Sequence, residues 1–245
     1  MYGTDKDYDD AIKFFQNAPT DGNGLGTDYA TEDEVTRFMK QNANELGNKL
    51  MVIFWIDIFS AISSLVLNIA QRTNGYVSTS YLIGLLAVDV ISIVLSIVYL
   101  VMLFSLTKFD DNYKTTAIIS IINVVLGIVV AVSLFVFKPL SVILSLIVVV
   151  LTYVQEYCFI QALIGSVGMV FTDLANSLQT YWKGLIMIIT ALIVSLVFLC
   201  VPFLNLIVMV VDIGLGIALI AFGIWKLVLL WQCASSMKNY AKYNM

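Results

Sequence analysis

The chain has 245 residues, of which 60% are hydrophobic and only 12% charged, with a net charge of −4 and a mean hydropathy of +0.93. Soluble domains carry about 25% charged residues, so this composition describes an all-α, polytopic integral membrane protein, and the lack of a basic surface excludes a nucleic-acid partner. There is no histidine, which removes Ser-His-Asp and Cys-His catalysis and most zinc sites; neither an enzyme activity nor a cofactor is expected.

Residues 1–48 form a polar segment that holds ten of the 17 acids. It is expected to lie in the cytoplasm, with a short helix over 9–17 ended by Pro19. The loop that follows fits part of a calcium hand, since Asp21, Asn23, Gly26 and Glu32 fall at positions 1, 3, 6 and 12 of that pattern. Leu25 at position 5 and Asp28 at position 8 break it, and a flexible acidic linker accounts for the same residues. Thr31 and Glu34 make a capping box. The helix it starts carries Val35, Phe38, Met39 and Leu46 on one side and leads toward the membrane. The acidic N-terminus is not a cleavable signal, so the first span is expected to direct its own insertion.

Six apolar stretches follow, at about 50–70, 81–106, 117–137, 140–158, 184–204 and 206–231. Each matches the ~20 residues that cross a ~30 Å hydrocarbon core. Apolar corners built on Pro139 and Pro202 resemble one another and suggest three successive helical hairpins. The fourth stretch stays apolar to Phe171, too long for one crossing, so residues 159–182 are expected to form an interfacial segment with breaks at Gly165 and Gly168. Residues 49–232 are thus the transmembrane domain and 233–245 a cytoplasmic tail. Arg37, Lys40, Lys49, Lys108, Lys114, Lys183, Lys238 and Lys242 fall on the side of the termini, against Arg72 and Lys138 on the other. The positive-inside rule then places both termini in the cytoplasm of a multi-pass protein of a cell or internal membrane. Cys158, Cys200 and Cys233 lie far apart, in or beside apolar spans, and read as packing residues. Tyr181, Trp182, Trp225 and Trp231 fall where an aromatic belt sits.

The functional signal lies in polar groups within the spans. Asp57, Ser60, Ser64 and Asn68 share one helix face, and Asp89, Ser92, Ser96 and Tyr99 repeat the device on the second span. Asn123 lies on a polar face of the third, Gln155 and Glu156 near the end of the fourth, and Asp212 and Lys226 in the sixth. Antiparallel spans sort these by depth: Asp57, Glu156 and Lys226 toward the terminal side, Asp89 and Asp212 toward the other. Lys226 can pair with Asp57 or Glu156, or snorkel. Asp89 and Asp212 have no basic partner at their depth.

Two functions fit. Acids at two depths joined by hydroxyl stripes suit a channel or transporter for protons or small cations, with Asp57, Ser60, Ser64, Asn68, Asp89, Ser92, Ser96, Asn123, Glu156 and Asp212 along its path. The same residues can instead hold helices together in a non-catalytic anchoring or assembly subunit, with the acidic arm as a docking segment. The expected surroundings are the lipid bilayer and, beyond it, a homo-oligomer or a larger membrane complex. An intramembrane aspartyl hydrolase would need a close carboxylate pair, and the G-x-G-D signature is absent.

Overall fold

The structure, a computed structural model, describes residues 32–73, 79–168, 170–198 and 205–243. These form six helices: α1 (Glu32–Thr73), α2 (Thr79–Leu106), α3 (Asp111–Val136), α4 (Lys138–Gly168), α5 (Thr172–Phe198) and α6 (Asn205–Tyr243), with no strand among the described residues. Helices are the expected solution for such sequences, because in lipid every backbone N–H and C=O must be satisfied within its own segment. Five of the helices are long and apolar enough to cross a bilayer; α2 is 28 residues long, and its stretch Ile93–Leu106 is apolar. The protein is therefore polytopic and all-helical.

The ends of the helices have identifiable causes. Asp110 is extended (φ −160°, ψ 134°) and its carboxylate accepts from the Asn112 N–H at 2.7 Å, capping α3. A single residue, Phe137, separates α3 from α4; its N–H donates to Ser133 O at 2.8 Å. Pro139 falls in the first turn of α4, where its missing N–H breaks no intrahelical bond. At the end of α4, the N–H groups of Val170 and Phe171 both return to Val167 O, at 3.1 and 2.9 Å, and α5 begins at once.

Each helix packs against its neighbours in sequence, and α6 returns to pack along α1, closing a ring of six. Glycine permits the closure: a side chain at Gly47 of α1 would meet Ala234 O of α6 at 2.9 Å. The best-buried residues gather at the end of the ring that carries the two terminal helix ends. They include Leu46, Leu50 and Ile53 of α1, Leu103 and Leu106 of α2, and Tyr113 of α3. From the other side come Phe159 and Leu163 of α4, Leu178 of α5, and Leu230 and Cys233 of α6. Toward the opposite end large apolar side chains such as Phe59, Ile128, Leu146, Ile193 and Ile217 lie exposed. Such a surface is what acyl chains cover in a membrane, and it exceeds what water tolerates.

The helices run across three of the expected boundaries. Helix α1 crosses residue 48 without a break, so the helix begun beside the capping box runs straight into the first span, and it buries Met39 and Ala43. The fourth helix is unbroken at Gly165 and ends at Gly168, the second of the two expected breaks. Residues 159–182 are its last turns, a tight turn and the first turns of α5. The reason is packing: Phe159, Ile160, Ala162, Leu163 and Val167 are buried, and Gly165 leaves the room that the Asp110 carboxylate fills. Helix α6 likewise continues past 233 to Tyr243, with Met237 and Ala241 buried.

Candidate functional site: a polar belt on six helices

Inside the ring, just beyond the buried core, charged and polar side chains meet. Lys226 of α6 donates from Nζ to Glu156 Oε2 of α4 at 2.8 Å, and the same ammonium lies 3.7 Å from Asp57 Oδ2 of α1. The second oxygen of Glu156, Oε1, accepts from the Tyr181 hydroxyl of α5 at 3.3 Å. Asn123 of α3 donates to Gln155 Oε1 of α4 at 3.0 Å, and Gln155 in turn faces the Tyr99 hydroxyl of α2. All six helices thus contribute a polar side chain to one belt. The three charged side chains are only 20–25% exposed. Phe159 places its ring 5.5 Å below the ammonium, and Tyr181 stacks edge-on with Trp225 at 5.8 Å.

The geometry ranks the two carboxylates. With an effective dielectric constant near 20, attraction to Lys226 is about 1.4 kcal/mol stronger at 2.8 Å than at 3.7 Å. Glu156 is the tightly held partner and Asp57 the loosely held one. Two acids against one base leave the belt with a formal charge of −1 when all three are ionised. One acceptor is unmatched: Asn123 Oδ1 is buried without a hydrogen-bond partner, beside the Gln155 amide.

The remaining candidates are distributed differently. Lys226 pairs with both acids and does not snorkel. Among the described residues Asp212 has no basic partner; it accepts from the Ser195 hydroxyl of α5. Ser60 and Ser96 are exposed on α1 and α2. Ser64, Asn68, Asp89 and Ser92 lie on these two helices, but their side chains fall outside the described residues. Asp21 and Asn23 of the calcium-hand pattern also lie outside them, as does the side chain of Glu32 at the start of α1. Among the described residues no group of three His, Cys, Asp or Glu could hold a metal ion. Hydroxyls elsewhere turn back on their own helices: Ser133, Ser145, Thr152 and Ser166 each donate to a carbonyl three or four residues earlier.

A second cluster lies at the terminal end, outside the belt. Glu45 bonds both Lys49 of its own helix and Lys108 of the α2–α3 connection. Lys49 also donates to Ser105 O at 2.9 Å, and Lys108 sits 4.9 Å over the Phe109 ring. These contacts fasten the short α2–α3 connection to α1. On its far side Asp110 turns toward Gly165 of α4. Burial pushes the Asp110 carboxyl above the usual carboxylate range, with the Asn112 bonds opposing it only in part.

Tyr181 is the belt residue that sequence reasoning missed, whereas Tyr99 stands on the polar face of the second span but outside the expected path. Tyr181 sits at the start of an apolar span, where a tyrosine reads as an interfacial anchor; instead it is only 3% exposed. Comparison with protein-family models, with curated proteins and with solved structures gives no match.

Proposed function

We propose that the chain is a multi-pass membrane channel or transporter for protons or small cations, with the belt around Lys226 as the site that holds the moving charge. The observation that carries this reading is the surplus carboxylate. A belt that only fastened helices together would be complete with one acid and one base. A further carboxylate placed in the membrane costs about 2.5–3.5 kcal/mol. That cost is spent beside polar side chains from every helix of the ring, which is where a cation passing along the axis would meet counter-charge. The lysines and arginines at the terminal end favour an orientation with both termini in the cytoplasm.

The test is flux in liposomes. Purified protein should carry protons or monovalent cations, and Asp57→Asn or Lys226→Met should abolish the flux while the protein stays folded. Absence of flux from folded wild-type protein would sink the proposal. A second reading, a non-catalytic anchoring or assembly subunit, is supported by the hydroxyls that bond their own helices and so mark no continuous path. It expects a partner to copurify with a protein that carries nothing alone.

A further inference from the structure

We infer that the belt is a proton-binding site that takes up one proton per chain, on Asp57, and that Tyr181 is a positioning residue which helps hold Glu156 on the Lys226 ammonium. This rests on the transport reading for its consequence, but its geometry stands apart. Glu156 is pinned through both oxygens, Oε2 by the Lys226 ammonium at 2.8 Å and Oε1 by the Tyr181 hydroxyl at 3.3 Å. A proton added there would displace a charge-assisted bond. Asp57 meets the ammonium at 3.7 Å, beyond hydrogen-bond distance. A proton added there gives up least. It converts the carboxylate to a neutral acid, brings the belt from −1 to zero, and leaves Lys226 and Glu156 as a balanced pair. On release the proton leaves Asp57 for water and the charge of −1 returns.

The groups facing Asp57 agree with that assignment. From α6 comes Lys226, from α4 Glu156, and from α2 the Tyr99 hydroxyl. Tyr181 of α5 reaches the cluster through Glu156, and α3 supplies only the neutral Asn123. No second cation stands among the described belt residues to balance Asp57 once Lys226 has closed on Glu156. The two acids therefore share one counter-ion, and the belt alternates between two charge states and not three.

Infrared titration of the protein in nanodiscs reads this directly. Acidification should raise protonated-carboxyl C=O bands, of which a component equal to one group is lost in Asp57→Asn and kept in Glu156→Gln. Tyr181→Phe should shift the carboxylate stretch of Glu156, identified by labelled glutamate, and leave the Asp57 band in place, an outcome that a tyrosine packed only for structure would not produce. Isotope labelling of glutamate carboxyls in unmutated protein provides the check that needs no substitution: the belt signal should not shift. A band that survives in Asp57→Asn and disappears in Glu156→Gln, or a belt signal that shifts with labelled glutamate, overturns the proposal. An Asp57-dependent band in a protein without flux refutes transport and keeps the proton site. Flux and band both unchanged in Asp57→Asn refute the proton site and, with it, the belt as the place that holds the moving charge.

Discussion

Replacing Lys226 with methionine keeps much of the side chain's length and removes only the ammonium. Glu156 at 2.8 Å and Asp57 at 3.7 Å then lose their shared counter-charge in a setting where each is at most a quarter exposed. Removing one partner of a buried pair costs about 3–5 kcal/mol, because the charge left behind stays desolvated. For a chain of this size each kcal/mol moves Tm by about 2–4 °C, so the melting temperature should fall by roughly 6–20 °C near neutral pH. The loss should be largest around pH 8 and shrink toward pH 5, since protonating either acid removes an unpaired charge. Adding Glu156→Gln to Lys226→Met removes one of the two orphaned charges and should restore part of the Tm. The assay is thermal unfolding in detergent, followed by tryptophan fluorescence across that pH range. A Tm within about 2 °C of wild type, or a drop of equal size at both ends of the range, would refute the account of the belt as a shared-charge cluster.

Further outcomes follow from other contacts. Gly47→Ala should cost about 1–3 kcal/mol, since a Cβ there lies 2.9 Å from the backbone oxygen of Ala234 and must push α1 away from α6; chemical unfolding measures it. Tyr113→Phe loses the 2.9 Å bond to Ser166, and a neutral buried bond of this kind is worth about 1 kcal/mol; the same measurement applies. Asp110→Ala should cost about 1 kcal/mol as a lost helix cap, whereas Asp110→Asn keeps the cap. Because the folded protein holds a proton on Asp110 more readily than the unfolded chain, ionised Asp110 opposes folding at neutral pH. That opposition fades as pH falls through the raised folded value toward the ordinary 3.8. Asp110→Asn should remove this component from the pH profile of Tm and leave stability at pH 7 equal or higher.

The sequence showed much of the belt because antiparallel spans convert residue number into depth at about 1.5 Å per residue. That arithmetic put Asp57, Glu156 and Lys226 at one level, and the structure places the three together. Two kinds of information were not legible. Periodicity shows that serines share a face but not that their hydroxyls are already satisfied by their own helix carbonyls, as at Ser133 and Ser145. Hydropathy shows that a tyrosine stands at the edge of an apolar run but not that its helix already starts at Thr172. Tyr181 therefore read as an anchor and Phe159–Val167 as an interfacial stretch, although both lie in the packed end of the ring. Closure of the ring itself depends on α1 meeting α6, a contact between the two ends of the chain that no local pattern encodes.

The shared lysine also fixes an order of events during synthesis. Asp57 and Glu156 are made first, and Lys226 follows Glu156 by 70 residues. At about 5–20 residues per second that interval is roughly 4–14 s, during which both acids have left the ribosome and their counter-ion has not. Until α6 arrives, α1 and α4 must enter the bilayer with these carboxyls protonated, or wait in the translocation channel where water still reaches them. The last helix is thus more than the final stave of the ring. Its arrival lets the earlier helices release their water and settle, and a chain cut short before Lys226 should stay exposed to membrane quality control.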